Sequence, residues 1–248
     1  MTRPSLRLEK SLLREGRIRV AGVDEVGRGA LCGPVTVGVV VVAADIGRVP
    51  DGLADSKLLT PDQRDRLTPV VRRWAPLHAV GHSGSDEVDA FGVLGALRLA
   101  ALRALAELSL VAPAPDVIVL DGSHDWLTAR PEQVDLFAPA PPEIAVAVPP
   151  VMTRVKADLS CTSVAAASVL AKTARDAVMT ALAPEFPDYE WDLNKGYAAP
   201  NHVRALATLG PTTWHRTSWR LPGLGHGELV DGDQPGAGSA PAAREESA

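Results

Sequence analysis

Two apolar, β-branched runs at residues 18–23 (IRVAGV) and 35–44 (VTVGVVVVAA) constrain this chain more than any other feature. Valine-rich runs of that length suit half-buried or buried strands. Only a short glycine-rich stretch separates them, so they are expected to pair as antiparallel neighbours across it. Downstream, β-branched runs go on alternating with helical patterns. Residues 77–81 are a candidate third strand, 117–120 a buried central strand ended by Asp121, and 151–155 a further strand. A helix is expected from Ser85, its N-terminus favoured by Asp86, Glu87 and Asp89. Its apolar face is Phe91, Leu94, Leu97, Ala101, Leu105 and Leu108. Residues 160–182 read as an alanine-rich helix able to pack close to a sheet. Residues 200–209 read as a shorter helix closed by Gly210 and Pro211. The pattern is an α/β layer followed by a helical appendage.

A chain of 248 residues, 46% hydrophobic and 22% charged, is not disordered throughout and suits one large domain with a small appendage. Its two cysteines, Cys32 and Cys161, make neither a disulfide framework nor a four-cysteine zinc site. Residues 1–16 lack the apolar core of a signal peptide, and the most apolar stretch, 35–46, is too short for a bilayer. A cytoplasmic protein without a membrane partner is expected. The net charge of -5 is unevenly spread. From Glu228 onward five acids face one base, whereas the first nineteen residues hold six bases against Glu9 and Glu15. Bulk charge therefore neither requires nor excludes a polyanionic partner. Residues 230–248 are rich in Gly, Pro, Ala, Ser and acids, and read as a disordered tail.

The segment VAGVDEVGRGALCGPV (residues 20–35) carries the chemistry. Gly27, Gly29 and Gly33 invite a dinucleotide-loop reading, but that fold needs a helix next, and Pro34 and a strand follow instead. The other reading is a site. Asp24 and Glu25 stand where the first strand is expected to end, and adjacent strand residues face opposite ways. For both to reach one site the chain is expected to bend there, with Arg28 available to a phosphate. Asp121 ends the central strand, and Asp158 falls just after the 151–155 strand. Each acid alone is an ordinary strand-end cap. As a set at the ends of central strands, they would repel one another unless divalent cations sat among them. Oxygen donors point to Mg²⁺ or Mn²⁺, and such a pair of ions suits phosphoryl displacement.

The run GVDEVGRGALCGPV resembles the opening signature of bacterial ribonuclease HII, the type 2 ribonuclease H family. Further segments agree in order: Asp55-Ser56-Lys57, Asp121-Gly122, Lys156-Ala157-Asp158 through SVAAASVLAKTARD, Asn194-Lys195-Gly196-Tyr197, and His215-Arg216-Thr217-Ser218-Trp219. The resemblance spans about residues 19–221. It implies an RNase H-like α/β fold, a mixed central sheet flanked by helices with a small C-terminal helical subdomain. Its boundaries would be a catalytic domain at 1–183, a substrate-binding subdomain at 184–228 and an acidic tail at 229–248. It implies hydrolysis of the RNA strand of RNA–DNA hybrids and incision 5′ of single ribonucleotides in duplex DNA, leaving 5′-phosphate and 3′-hydroxyl ends. Asp24, Glu25, Asp121 and Asp158 would be the catalytic, metal-binding carboxylates of a two-metal Mg²⁺ or Mn²⁺ site. Gly27, Arg28 and Gly29 would read the ribose 2′-hydroxyl, Tyr197 would stack on the next sugar and Lys57 would contact phosphate. The expected state is a monomer.

Lys172, Arg175 and Asp176 read as a solvated or salt-bridged helix face, His202 as packing, and His215 and Arg216 as structural or DNA-touching. Trp219 stands where the family usually has Phe, and Ala157 where Gly is frequent. The segment between Asp121 and Asp158 is longer than the family pattern, and its Pro-rich part reads as a surface loop. A type 3 ribonuclease H would need a further N-terminal domain. A Holliday-junction resolvase would lack the Gly27–Gly29 loop and Tyr197. A non-catalytic nucleic-acid binder would not need four acids.

Overall fold

The computed structural model describes residues 3–128 and 141–224. One mixed sheet holds β1 (Arg19–Val26), β2 (Val35–Ala43), β3 (His78–Ser83), β4 (Val117–Asp121) and β5 (Val151–Arg154), in the order β3-β2-β1-β4-β5. β1 pairs antiparallel with β2 along its whole length, from Arg19↔Ala43 to Val26↔Thr36, and β2 pairs antiparallel with β3. β4 runs parallel to both β1 and β5. Three parallel strands therefore finish at one edge of the sheet, the place where α/β sheets gather ligands.

Side-chain alternation sorts the strands between two faces. Val23, Val37, Val39, Ile118 and Leu120 face α3 (Ser85–Ser109), packing with Ala96, Leu97, Ala100 and Leu105. Val20, Val42, Val117 and Val119 face α5 (Thr162–Leu182), meeting Val164. The alanines of α5 let it lie almost on the sheet: a Cβ at Gly22 would sit 2.4 Å from the Ser163 carbonyl carbon. α2 (Pro61–Trp74) and α1 (Arg7–Arg14) pack on this side. Glu9 of α1 is fully buried and accepts from the Ser163 N–H (2.9 Å) and hydroxyl (2.8 Å), capping the first turn of α5.

α3 bends at Gly92, whose φ of 69° interrupts the helix. Glu87 in its first turn accepts from the Ser83 hydroxyl and the Gly84 N–H and pairs with both Nη atoms of Arg103 (2.7 and 2.6 Å). Beyond α5, short 3-10 turns lead to α6 (Trp191–Asn194) and α7 (Pro200–Leu209). Their core of Trp191, Leu206 and Tyr189 also contains Leu31, Cys32 and Met179. The helical appendage is thus built around the β1–β2 turn and shares its core.

The α/β class, the five strands and the three helices at Ser85, 160–182 and 200–209 agree with the sequence reading. Four details differ. β1 does not stop at residue 23; it continues in register through Asp24↔Gly38 and Glu25↔Val37 because β2 is long enough to pair with it. The helix expected at 160–182 starts at Thr162, and a separate turn, α4 (Ala157–Ser160), precedes it across extended Cys161, so Asp158 lies within a helical turn. The Pro-rich part is not all surface: Val146 and Val148 pack on the cluster that buries Trp126 and Leu127. Part of the Pro-rich stretch and the whole 229–248 tail lie outside the described residues. α1 and α2 were not foreseen, although Thr60 and Gln63 form a capping box ahead of Pro61 that announces α2.

Candidate active site

The β1–β4 ladder ends at Val23↔Leu120, so Asp24 and Asp121 follow on adjacent parallel strands. Alternation sends the buried Asp24 to the α5 face, where the nearby Ser168 hydroxyl favours its ionised form against burial. Asp121 accepts from the Ala157 N–H (2.7 Å), which ties the end of β4 to the start of α4 and carries Asp158 into the same neighbourhood. Lys57 reaches in from a 3-10 turn (Ser56–Leu58), its Nζ 3.5 Å from Asp158 Oδ2. That turn is anchored by Asp55, which accepts from the Lys57 N–H and the Ser168 hydroxyl, each at 3.1 Å. Ser56 and Ser168 hydroxyls meet at 2.8 Å. Asp55 and Ser168 thus position Lys57, and neither role was read from the sequence.

Electrostatics bind the set into one site. Burial is the largest cause raising the Asp24 carboxyl well above its ordinary value, with Glu25 and Asp121 adding repulsion. Burial likewise raises Glu25, against the pull of Arg28 at 3.5 Å and with Asp121 adding to the rise. Asp158 is raised by burial, then by Asp121 and Asp55. Burial alone would lower the Lys57 ammonium, but Asp24, Asp55 and Asp158 outweigh it and raise the net value. Glu25 Oε2 is buried without a hydrogen-bond partner. Oxygen-only donors, ionised with difficulty and including an orphaned oxygen, fit a hard divalent cation such as Mg²⁺ or Mn²⁺.

Beside the carboxylates lies the β1–β2 turn. Gly27 has φ 84°, and a Cβ there would meet Arg175 Nε at 2.2 Å, so glycine is required on both counts. Arg28 and Gly29 are exposed. Arg175 is not on a solvated face, as its sequence neighbours suggested. It is fully buried, donating to Pro34 O (2.8 Å), Cys32 O (3.1 Å) and Lys195 O (2.8 Å). Lys172 and Asp176 do form the expected ion pair, at 2.8 Å. Tyr197 is half-buried, with its ring centroid 5.3 Å from the Arg175 guanidinium. Arg175 and the Leu31 N–H to Gly196 O bond (2.8 Å) therefore connect the Gly27–Gly29 turn to the Tyr197 turn. Among the described residues no hydrogen bond or ion pair joins Tyr197 to the four carboxylates, and this linkage connects the two parts of the site.

A second cluster, Cys32, His202 and His215, has its ligand atoms within 4.8 Å of one another. The hydrogen bonds assign it to structure. The Thr212 N–H donates to His215 Nδ1 (2.9 Å), so the proton of neutral His215 is on Nε2 and is given to His202 Nε2 (2.9 Å). His202 Nδ1 in turn donates to Tyr197 O (2.9 Å). Burial lowers both histidines, His215 to about 4, and pushes the Cys32 thiol up to about 12. No lone pair of His215 is left for a cation, and Cys32 is not a reactive thiol.

Comparison with known proteins agrees with this architecture. A family model described as Ribonuclease HII matches residues 21–221. Ribonuclease HII of Streptomyces avermitilis is 44% identical over 217 residues, covering 87% of this chain and 83% of its own. Ribonuclease HII of a Ruegeria species is 41% identical over 220 residues, covering 89% and 86%. Among solved structures, the ribonuclease H2 of Pyrococcus horikoshii superposes with a TM-score of 0.62 at 25% identity, covering 82% of this chain and 95% of its own. Bst-RNase HIII in complex with Mn2+ superposes with a TM-score of 0.58 at 25% identity, covering 77% of this chain and 61% of its own.

Proposed function

This chain belongs to the ribonuclease HII family and is a nuclease, a phosphodiester hydrolase; from that premise we propose that it hydrolyses the RNA strand of RNA–DNA hybrids and incises 5′ of single ribonucleotides in duplex DNA. The products would carry 5′-phosphate and 3′-hydroxyl ends. The observation that carries the reading is the convergence of Asp24, Glu25, Asp121 and Asp158 at the ends of β1 and β4 and on α4, around Lys57. These four carboxylates would hold two divalent cations, Mg²⁺ or Mn²⁺. When bound, the ions supply charge that acidifies the attacking water and steadies the leaving 3′-oxygen.

The chain's own residues do the rest. Lys57 reaches past Asp158 with most of its side chain exposed, placed to pair with a substrate phosphate. The Gly27–Gly29 turn offers close backbone approach to a ribose, and the 2′-hydroxyl is the group that separates RNA from DNA. Arg28, paired with Glu25, lies at the boundary between that turn and the carboxylates. Tyr197 presents a ring for stacking on the following sugar. Residues 184–228 would form the substrate-binding subdomain, since they hold Tyr197 and brace the turn. Among the described residues no helix is long and apolar enough to cross a membrane.

The test is an end-labelled DNA duplex with one ribonucleotide, beside an all-DNA duplex, incubated with Mg²⁺, Mn²⁺ or EDTA. Metal-dependent cutting immediately 5′ of the ribonucleotide, with the all-DNA duplex intact, is expected. Cutting of both duplexes would keep the carboxylate site and discard ribose selectivity. No cutting with either ion would overturn the reading.

A further inference from the structure

The Gly27–Gly29 turn has no regular ladder to hold its shape. A single side chain from the far end of the chain does so. Arg216 is fully buried, and its guanidinium forks onto three carbonyls: Nη1 donates to Arg28 O (2.9 Å), and Nη2 to Gly27 O (2.7 Å) and Gly33 O (3.1 Å). The guanidinium carbon lies 4.8 Å from the Trp219 ring centroid, which fixes its plane. Its own loop segment is tied down as well: the Arg216 N–H donates to Leu31 O (3.0 Å), and Asp89 accepts from Thr217 and Ser218. Burying a guanidinium against carbonyls, with no bonded carboxylate among the described residues, is costly. A role in shape would account for it.

That role follows from peptide geometry. The structure contains no cis peptide bond. In a trans peptide the C=O of one residue and the N–H of the next point in opposite directions. Pinning the Gly27 and Arg28 carbonyls inward therefore turns the Arg28 and Gly29 N–H groups outward. Neither N–H donates to an acceptor among the described residues, and both residues are exposed. Two successive outward N–H groups form a concave donor pair suited to one oxygen atom. Lysine, a point charge without the planar fork, cannot hold both carbonyls at once in this way.

We propose that Arg216 is the positioning residue for ribose selectivity, aiming the Arg28 and Gly29 N–H pair at the substrate 2′-hydroxyl while itself touching no substrate. This rests on the reading of Gly27–Gly29 as the ribose-recognising turn. Arg216 acts on discrimination, not on the affinity that phosphate contacts supply.

The experiment measures binding by fluorescence anisotropy in the Asp24→Asn background with Mg²⁺, using a duplex with one ribonucleotide and the identical all-deoxy duplex. With Arg216 intact, the ribonucleotide duplex is expected to bind about tenfold tighter, the worth of one good hydrogen-bonding site. With Arg216→Lys the ratio is expected to fall to about one, while binding of the all-deoxy duplex is unchanged. Trp219→Leu, which frees the guanidinium without removing it, is expected to give an intermediate ratio, and it carries the test if thermal melting shows Arg216→Lys unfolded. A folded Arg216→Lys protein with the original ratio would overturn the proposal. So would equal losses on both duplexes, the mark of a general structural role. If the protein with Arg216 intact binds both duplexes alike, the reading of the turn fails first, and the proposal with it.

Discussion

At the scale of single residues, Asp24 sets function against stability. Its carboxyl is almost fully buried at the end of β1, raised chiefly by that burial and then by Glu25 and Asp121. Ionised Asp24 is therefore a cost to the metal-free fold at neutral pH. Asp24→Asn removes the charge and keeps the shape. It should abolish cleavage while raising the metal-free unfolding free energy, because a buried charge is replaced by a neutral group of the same shape. Urea unfolding in EDTA and a cleavage assay check the two halves separately, and a variant that is inactive but less stable would contradict this account of the site. Tyr197 makes a different demand. Tyr197→Ala should weaken action on single embedded ribonucleotides more than on long hybrids, where several registers are available, and equal losses in kcat/KM would count against stacking. The four acids were legible because each follows an apolar strand or precedes the alanine-rich helix. Arg175 and Arg216 were not, because a guanidinium that bonds only carbonyls leaves no partner residue to be found in the sequence.

At the scale of elements, the strands were readable because burial on two faces demands unbroken valine runs, as in β2. The helix breaks were not readable, since the φ of Gly92 in α3 and the extended Cys161 between α4 and α5 are set by tertiary packing. α1 was missed for a related reason. Its apolar face, Leu8, Leu12 and Leu13, is amphipathic but spans only eight residues, and the burial of Glu9 is decided by its tertiary partner Ser163. Yet Glu9 caps the first turn of α5 through two bonds to Ser163, and Ser163 in turn packs against Gly22 of β1. Glu9→Ala should lower the unfolding free energy by about 1–3 kcal/mol, because it leaves a buried N–H and hydroxyl without an acceptor. Because α5 also carries Ser168, whose hydroxyl donates to Asp55 in the turn that presents Lys57, kcat should fall as the helix start loosens, with KM little changed. Denaturant titration and steady-state kinetics on the variant test this, and a wild-type midpoint would show that α1 does not clamp the helix.

At the scale of the whole molecule, titrating groups divide into sets with opposite effects. Asp24, Glu25 and Asp158 have raised values, so in the metal-free protein they weaken the fold at neutral pH. That penalty disappears as the pH falls through their raised values towards the ordinary 3.8 to 4.5, where folded and unfolded chains are protonated alike. Glu87, held by Arg103, and Asp89, held by Thr217 and Ser218 against the opposing effect of its burial, are lowered. They stabilise above their ordinary values, and that contribution is lost as the pH falls through their depressed ones. The half-buried His82 and the buried His202 and His215 are lowered too, so acid below about 6.5 favours the unfolded chain, in which they protonate freely. The net pH curve of the metal-free protein mixes all three. The difference made by a divalent cation does not, because none of the four carboxylates is among the causes that shift Glu87, Asp89 or the histidines, which therefore contribute equally with and without it. Only the raised set changes, since its repulsion is neutralised by the ion. Mg²⁺ at a hundredfold excess over its dissociation constant should stabilise by about 2.7 kcal/mol at pH 7, or roughly 5–10 °C in Tm for a chain of this size. That gain should shrink as the pH is lowered through the raised values, because protons then compete for the same oxygens. Scanning calorimetry with Mg²⁺ and with EDTA, at several pH values between 5 and 8, measures it directly. A gain that is absent at pH 7, or that grows towards acid, would mean that these four carboxylates are not where the cation binds.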